Sequence, residues 1–131
     1  MIRGIAAVAV LLCGAAQALA CGAPGDKVVE GASYRVAWRA TPSPIPTGQH
    51  FAMDVTVCPR GKAPMPRSLR VDAGMPEHKH GMNYRPTVSA RGGGRYRVEG
   101  MLFHMSGRWE IAFELASDGP VQRIADSVMV E

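Results

Sequence analysis

The most constraining feature of this sequence is an alternation of apolar and polar side chains, repeated in short blocks along the chain. In the clearest block, Trp109, Ile111, Phe113 and Leu115 alternate with charged or small residues. Successive side chains of a strand point to opposite faces, so such a block predicts a strand with one buried face. Further blocks, some of them short, begin near Val28, Tyr34, Phe51, Leu69, Thr87, Tyr96 and Val121. No stretch beyond residue 20 keeps the 3.6-residue period of an amphipathic helix.

Proline and glycine separate these blocks. Thr41–Gly48 contains three alternate prolines, which exclude a helix and a central strand, so we expect this segment to cross from one sheet to another. Arg91–Gly94 predicts a hairpin turn. About seven strands with frequent turns indicate an all-β fold, a β-sandwich of immunoglobulin-like or cupredoxin-like kind, with a small closed barrel as the alternative. The predicted core consists of Trp38, Phe51, Met53, Val55, Val57, Leu69, Val71, Val98, Trp109, Ile111 and Phe113.

Residues 1–20 have the pattern of a cleavable signal peptide. Arg3 supplies the positive charge, Ile5–Leu12 form the apolar segment, and Ala18–Ala20 make an A-x-A cleavage site. The apolar run is too short to span a bilayer. We therefore expect export to the periplasm and a mature domain formed by residues 21–131.

Cysteine use fits an exported protein. Cys13 leaves with the signal peptide, and Cys21 and Cys58 remain as an even pair in an oxidising compartment. A disulfide between them, joining the N-terminal segment to the end of an early strand, is the simplest prediction. Lipidation of Cys21 in a lipoprotein is the alternative, although Ala18-Leu19-Ala20 fits a lipobox poorly because Leu is expected one place earlier.

The charge of the chain gives little support to nucleic-acid binding. Loss of Arg3 leaves 14 basic residues against 11 acidic ones, a net charge of +3. The arginines are scattered, and no basic run has interleaved aromatic residues, so nucleic acid is not an expected partner.

A stretch rich in histidine and methionine, residues 75–82, carries the strongest chemical signal. His78, His80 and Met82 stand two residues apart, and on an extended chain they would point to one face. We expect Gly81 to let the backbone bend so that Met82 swings in, and Pro76 to fix the approach after Met75.

A second cluster, His104-Met105, follows at the end of a later predicted strand. If this strand stays extended, the two side chains point to opposite faces and only one can reach the first cluster. A bulge would let both reach it. Of the two, His104 is the expected better ligand.

The donor types select the metal. Thioethers beside imidazoles favour Cu(I), and Cu(II) can bind through the histidines. Zinc would want Cys or a carboxylate, for which only Glu77 is near, and a blue-copper centre needs a thiolate that neither cluster has. His50, before a strand, is interpreted as a polar surface residue. No nucleophile–base arrangement or carboxylate pair stands out, so an enzyme is not expected.

Two segments taken together resemble the YtkA-like domain family, which is related to the FixH-like proteins. The resemblance covers about Tyr34 to Glu131 and rests on the patterns M-P-x-H-x-H-G-M and F-H-M-x-G-x-W. It implies an exported immunoglobulin-like sandwich with a place in copper handling or respiratory oxidase assembly. The motif positions that it marks are Met75, His78, His80, Met82, His104 and Met105.

Two functions are therefore expected from the sequence. The first is an exported copper-binding protein, either a chaperone or a sequestering protein, which exchanges the ion with a periplasmic or membrane metalloprotein. The second is a metal-free interaction module for the assembly of a membrane or respiratory complex, in which residues 75–84 form a docking loop. The oligomeric state does not follow from the sequence.

Overall fold

The computed structural model describes residues 20–131, and nearly all of the predicted signal peptide, residues 1–19, lies outside this part. Nine β-strands and no helix occur in the described residues, which confirms the all-β prediction. The strands are β1 (Lys27–Glu30), β2 (Tyr34–Thr41), β3 (His50–Pro59), β4 (Ser68–Met75), β5 (His80–Gly81), β6 (Thr87–Gly92), β7 (Arg95–Leu102), β8 (Gly107–Ala116) and β9 (Gln122–Val130). Accordingly, no helix of residues 20–131 is long and apolar enough to cross a membrane.

The strands form two antiparallel sheets, as expected for a β-sandwich. One sheet has the order β1-β2-β3-β7-β6 and the other the order β5-β4-β8-β9. The chain therefore changes sheets three times, between β3 and β4, between β5 and β6, and between β7 and β8. The crossing from β5 to β6 begins at Met82, the last residue of the first histidine–methionine cluster. The crossing from β7 to β8 contains the second cluster, His104-Met105.

The proline-rich segment Thr41–Gly48 does not cross between sheets, so that expectation is wrong. It joins β2 to β3, which are antiparallel neighbours in the five-stranded sheet. The segment folds back against the end of β7, where Thr47 forms a bridge with Phe103 and Gly48 N–H donates to the Phe103 carbonyl at 2.8 Å. Prolines stop strand pairing locally, but they do not determine which strand comes next in the sheet.

One hydrophobic core lies between the sheets, and every residue predicted for it is buried. The core also takes in residues that the sequence did not single out for it, among them Tyr34, Met75, Met101 and Phe103. The alternation succeeds as a predictor because both sheets are antiparallel and bury a single face each. The glycines of the predicted turn after Arg91 all have positive φ, and they close the β6–β7 hairpin.

A disulfide joins Cys21 to Cys58, as predicted. The two Cα atoms lie 5.9 Å apart, and the cysteines are 37 positions apart along the chain. The bond fastens the arm before β1 to the end of β3. Strand β2 lies between β1 and β3 in the sheet and pairs with both.

Removal of this disulfide should lower the stability of the domain without changing its fold. Closure of a loop of this length restricts the unfolded chain by about 3–4 kcal/mol. We expect a Cys21→Ala/Cys58→Ala variant to lose about that much free energy of unfolding in urea denaturation. A reducing agent should produce a similar loss in the wild type and none in the variant. A loss below about 1 kcal/mol would contradict the entropic account of this bond.

Candidate metal centre

The first histidine–methionine stretch is a tight hairpin and not an extended run. Residues 76–79 form a turn between β4 and β5, in which the amides of His78 and Lys79 both donate to the Met75 carbonyl, at 3.1 and 2.9 Å. The prediction that alternate positions share one face of an extended chain is therefore wrong. Pro76, with its restricted φ, starts a turn more readily than it continues a strand.

The sharp bend also falls at a different residue from the one expected. Lys79 has a φ of 54°, whereas Gly81 lies in β5 opposite Gly74. A non-glycine residue in this left-handed region is uncommon and costs conformational energy. The turn that places His78 and His80 on either side of Lys79 is thus held at some energetic cost.

The hairpin register brings His80 and Met75 to the same face of the sheet. Met75 pairs directly with His80, and residues opposite each other in an antiparallel pair have neighbouring side chains. Met75 is only 1% exposed and forms part of the core. Met75 is one of the predicted motif positions, and its pairing with His80 puts its buried side chain on the same face of the sheet as the half-buried imidazole.

The second cluster reaches the first through the crossing from β7 to β8. Strand β7 ends at Leu102, after which Phe103 is buried, His104 is half-buried, and residues 105–106 form a bend. Gly107 closes the bend with a φ of 127°, and a side-chain carbon built at this glycine would lie 2.8 Å from the terminal methyl of Met75. The bend therefore packs directly on the Met75 thioether.

The imidazoles of three of the four histidines lie next to one another. The ring centroids of His80 and His104 are 5.1 Å apart, and those of His78 and His80 are 5.8 Å apart. Two imidazoles that share an ion bind it at about 2 Å from each nitrogen, which corresponds to ring centroids about 5–6.5 Å apart. Both pairs have this separation.

The hydrogen bonds of the rings indicate which nitrogens are free. Nδ1 of His80 lies 3.3 Å from the Gly81 carbonyl, a contact that assigns the proton to Nδ1 and leaves Nε2 as the free donor of an electron pair. Nδ1 of His104 is buried without any hydrogen-bond partner. Buried polar nitrogens nearly always have a hydrogen-bond partner, so a buried Nδ1 without one is unusual and requires an explanation.

The two remaining methionines of the motifs are less closely placed. Met82 lies past the end of β5, where it is half-buried and packs against the edge of the core, and its amide donates to the Ala73 carbonyl. Met105 is 37% exposed, next to His104 in the bend. His50 is exposed at the start of β3 with its ring against Tyr84, in agreement with its interpretation as a surface residue.

A family model described as YtkA-like matches residues 25–114 of the chain, which is more than half of its length and includes both clusters. The chain belongs to the YtkA-like family. The match begins before β1, earlier than the resemblance in the sequence suggested, and ends in β8, ahead of β9. A comparison with curated proteins found no match, and neither did one with solved structures. The expected relation to the FixH-like proteins stays a prediction.

The carboxylate of Glu77, one position before His78 in this YtkA-like domain, is already engaged. Arg108 donates a 2.6 Å hydrogen bond to Glu77, and this bond lowers the pKa of the Glu77 carboxyl below its usual value. Within residues 20–131, no group of three or more His, Cys, Asp or Glu side chains is placed to hold a metal ion.

Trp109 of this YtkA-like domain was predicted only as a core residue, but its indole also contacts two of the clustered histidines. The buried indole meets His80 and His104 edge-on, with centroids 6.1 and 5.5 Å away, and stacks on Phe103 at 4.4 Å. Its Nε1–H donates to the Met105 carbonyl at 3.0 Å. The F-H-M-x-G-x-W pattern did contain the signal, since it places this tryptophan five residues after His104.

The strained turn gives a direct test of the hairpin. Glycine adopts positive φ freely, so Lys79→Gly should raise the free energy of unfolding by up to about 1 kcal/mol, after the greater chain entropy of glycine is subtracted. Lys79→Ala removes the same charge but keeps the side-chain carbon, and it should give no such gain. Urea denaturation of both variants measures the difference. A glycine variant less stable than the alanine variant would contradict the backbone geometry of this turn.

Proposed function

We propose that this protein is an exported copper-binding protein that holds Cu(I) between His80, His104 and the Met75 thioether. The observation that carries the proposal is the buried, unpartnered Nδ1 of His104, whose ring lies 5.1 Å from that of His80. A metal ion shared with His80 would satisfy this nitrogen. His78, Met82 and Met105 flank this inner set and can contribute further donors.

The donor chemistry supports copper over zinc. One thioether with two neutral imidazoles suits the soft Cu(I) ion, while Cu(II) can bind through the histidines alone. Zinc prefers thiolate, imidazole or carboxylate ligands, and here Cys58 is in a disulfide and Glu77 is paired with Arg108. A carboxylate would have to leave its arginine before it could bind zinc.

The surroundings favour storage or transfer of the ion over electron transfer. Trp109 and Phe103 form an apolar wall on one side of the histidines, and such a wall limits solvent access to the bound ion. The hairpin turn on the other side is exposed and open to a partner protein. A periplasmic or membrane metalloprotein that gives or takes copper at this turn is the expected partner.

Export of the protein is part of the same proposal. The Cys21–Cys58 disulfide is of the kind that persists in oxidising compartments such as the periplasm. A signal peptide in residues 1–20 would deliver the domain there. Sequencing of the mature N-terminus would find Cys21 first, and mass spectrometry would distinguish a disulfide-bonded Cys21 from a lipidated one.

Copper binding is tested by anaerobic titration with Cu(I) in competition with a chromogenic chelator. Loss of one ligand should cost at least as much as the 10–100-fold typical of outer-shell residues, so we expect about 100-fold weaker binding in His80→Ala and His104→Ala. His50→Ala is the matched control, because this histidine lies outside the cluster, and its affinity should equal that of the wild type. Wild-type binding no tighter than micromolar would overturn the proposal.

The same titration can be followed inside the protein by the fluorescence of Trp109. Trp38→Phe leaves Trp109 as the sole indole of the chain, and Trp38 lies elsewhere in the core, where its N–H donates to Asp126. Copper at the proposed site, beside Trp109, should quench this emission at one equivalent. Unchanged emission in the presence of bound copper would place the metal elsewhere.

The contribution of the thioether is tested by Met75→Leu. Leucine has nearly the same volume, so the buried position should tolerate the change at a cost below about 1.5 kcal/mol. We expect the affinity for Cu(I) to fall about tenfold or more while the affinity for Cu(II) stays the same, because only Cu(I) needs the soft sulfur. Met53→Leu, at another fully buried methionine, is the control and should leave both affinities unchanged.

The second candidate function is a metal-free interaction module, and the exposure of the segment after β5 favours it. Tyr84 is 51% exposed, and the hairpin turn at residues 76–79 projects from the edge of the four-stranded sheet. A partner captured in the presence of a chelator, and lost when residues 76–84 are shortened, would favour this function over copper binding.

A further inference from the structure

The three clustered imidazoles are arranged in a row that leads from solvent into the protein. His78 is exposed in the hairpin turn, His80 is half-buried at the start of β5, and His104 is half-buried with its Nδ1 fully shielded. The centroid distances along the row are 5.8 Å and then 5.1 Å. Both distances are compatible with an ion bound by one nitrogen of each ring, and the rings of the two pairs are inclined by 24° and 34°.

The middle histidine belongs to both pairs but has one nitrogen free. Because Nδ1 of His80 contacts the Gly81 carbonyl, only Nε2 is available to a metal. A single nitrogen binds one ion at a time. The outer pair, His78 with His80, and the inner pair, His80 with His104, are therefore alternative positions for the same ion and not two sites filled together.

The two positions also differ in their third donor and in their access to solvent. Met75, which is 1% exposed and lies opposite His80 in the hairpin, can offer its sulfur only from the buried side. His78, by contrast, lies in the part of the turn that a partner protein can reach. The inner position should thus hold Cu(I) more tightly, and the outer one should exchange it more readily.

We propose that copper enters and leaves through a transfer path of two positions, and this proposal rests on the copper-binding function proposed above. Cu(I) binds first between His78 and Nε2 of His80. His104 and the Met75 thioether then replace His78, while the bond to His80 is kept. One Cu–N bond breaks as the inner bonds form, the ion stays Cu(I), and no electron or proton is required because all the ligands are neutral.

This path predicts that His78 controls the rate of copper exchange and not the affinity. We expect His78→Ala to keep the equilibrium affinity for Cu(I) within about threefold of the wild type, while uptake and release both slow by about tenfold, since loss of the outer position raises one barrier by about 1.4 kcal/mol in both directions. Stopped-flow mixing with a chromogenic Cu(I) chelator measures both rates. His78 is exposed, so its replacement by alanine should leave the fold intact.

Two further variants make the result decisive. Met75→Leu should weaken the affinity through faster release, the opposite pattern to His78→Ala, and His50→Ala should change neither quantity. A His78→Ala affinity reduced as strongly as that of His104→Ala would show a single three-histidine site and overturn the path. Unchanged rates in His78→Ala would overturn it too, although copper binding itself would stand. A wild type that fails to bind Cu(I) would instead remove the proposed function together with the path.

Discussion

The packing of Trp109 is the interaction on which the candidate site depends. This indole lies in β8, stacks on Phe103, and meets the rings of His80 and His104 edge-on. Its N–H donates a hydrogen bond to the Met105 carbonyl. A buried indole needs both apolar contact and one hydrogen-bond acceptor, and here the bend after β7 supplies the acceptor. The same contacts that complete the core therefore position the second histidine cluster.

The site lies where the chain passes between the two sheets. His80 and Met75 belong to the hairpin at the edge of the four-stranded sheet, whereas His104 follows β7 of the five-stranded sheet. The two groups meet because the bend at Gly107 packs on the Met75 side chain. A sandwich core that resists deformation thus holds donors from both sheets at a fixed spacing, which a flexible loop rich in histidine could not do.

The sequence predicted the strands and the core well because the information for them is local. An alternation of period two specifies which side chains are buried, and every residue that it assigned to the core is buried. The predicted course of Thr41–Gly48 was wrong because strand order depends on contacts distant in sequence. The predicted extended conformation of residues 75–82 was also wrong. The spacing of His78, His80 and Met82 was interpreted as that of a strand, whereas Pro76 starts a turn. Residue types identified the candidate donors, but the pairing of Met75 with His80 and the second role of Trp109 required the tertiary structure.

We propose that two imidazoles and one thioether bind a single Cu(I) ion at this position. X-ray absorption spectroscopy of the Cu(I)-loaded protein tests it most directly, because the spectrum reports the elements bound to copper. We expect two nitrogen ligands and one sulfur ligand, with the sulfur lost in Met75→Leu and kept in Met53→Leu. A spectrum without sulfur in the wild type, or a protein that retains no copper after dialysis, would contradict it.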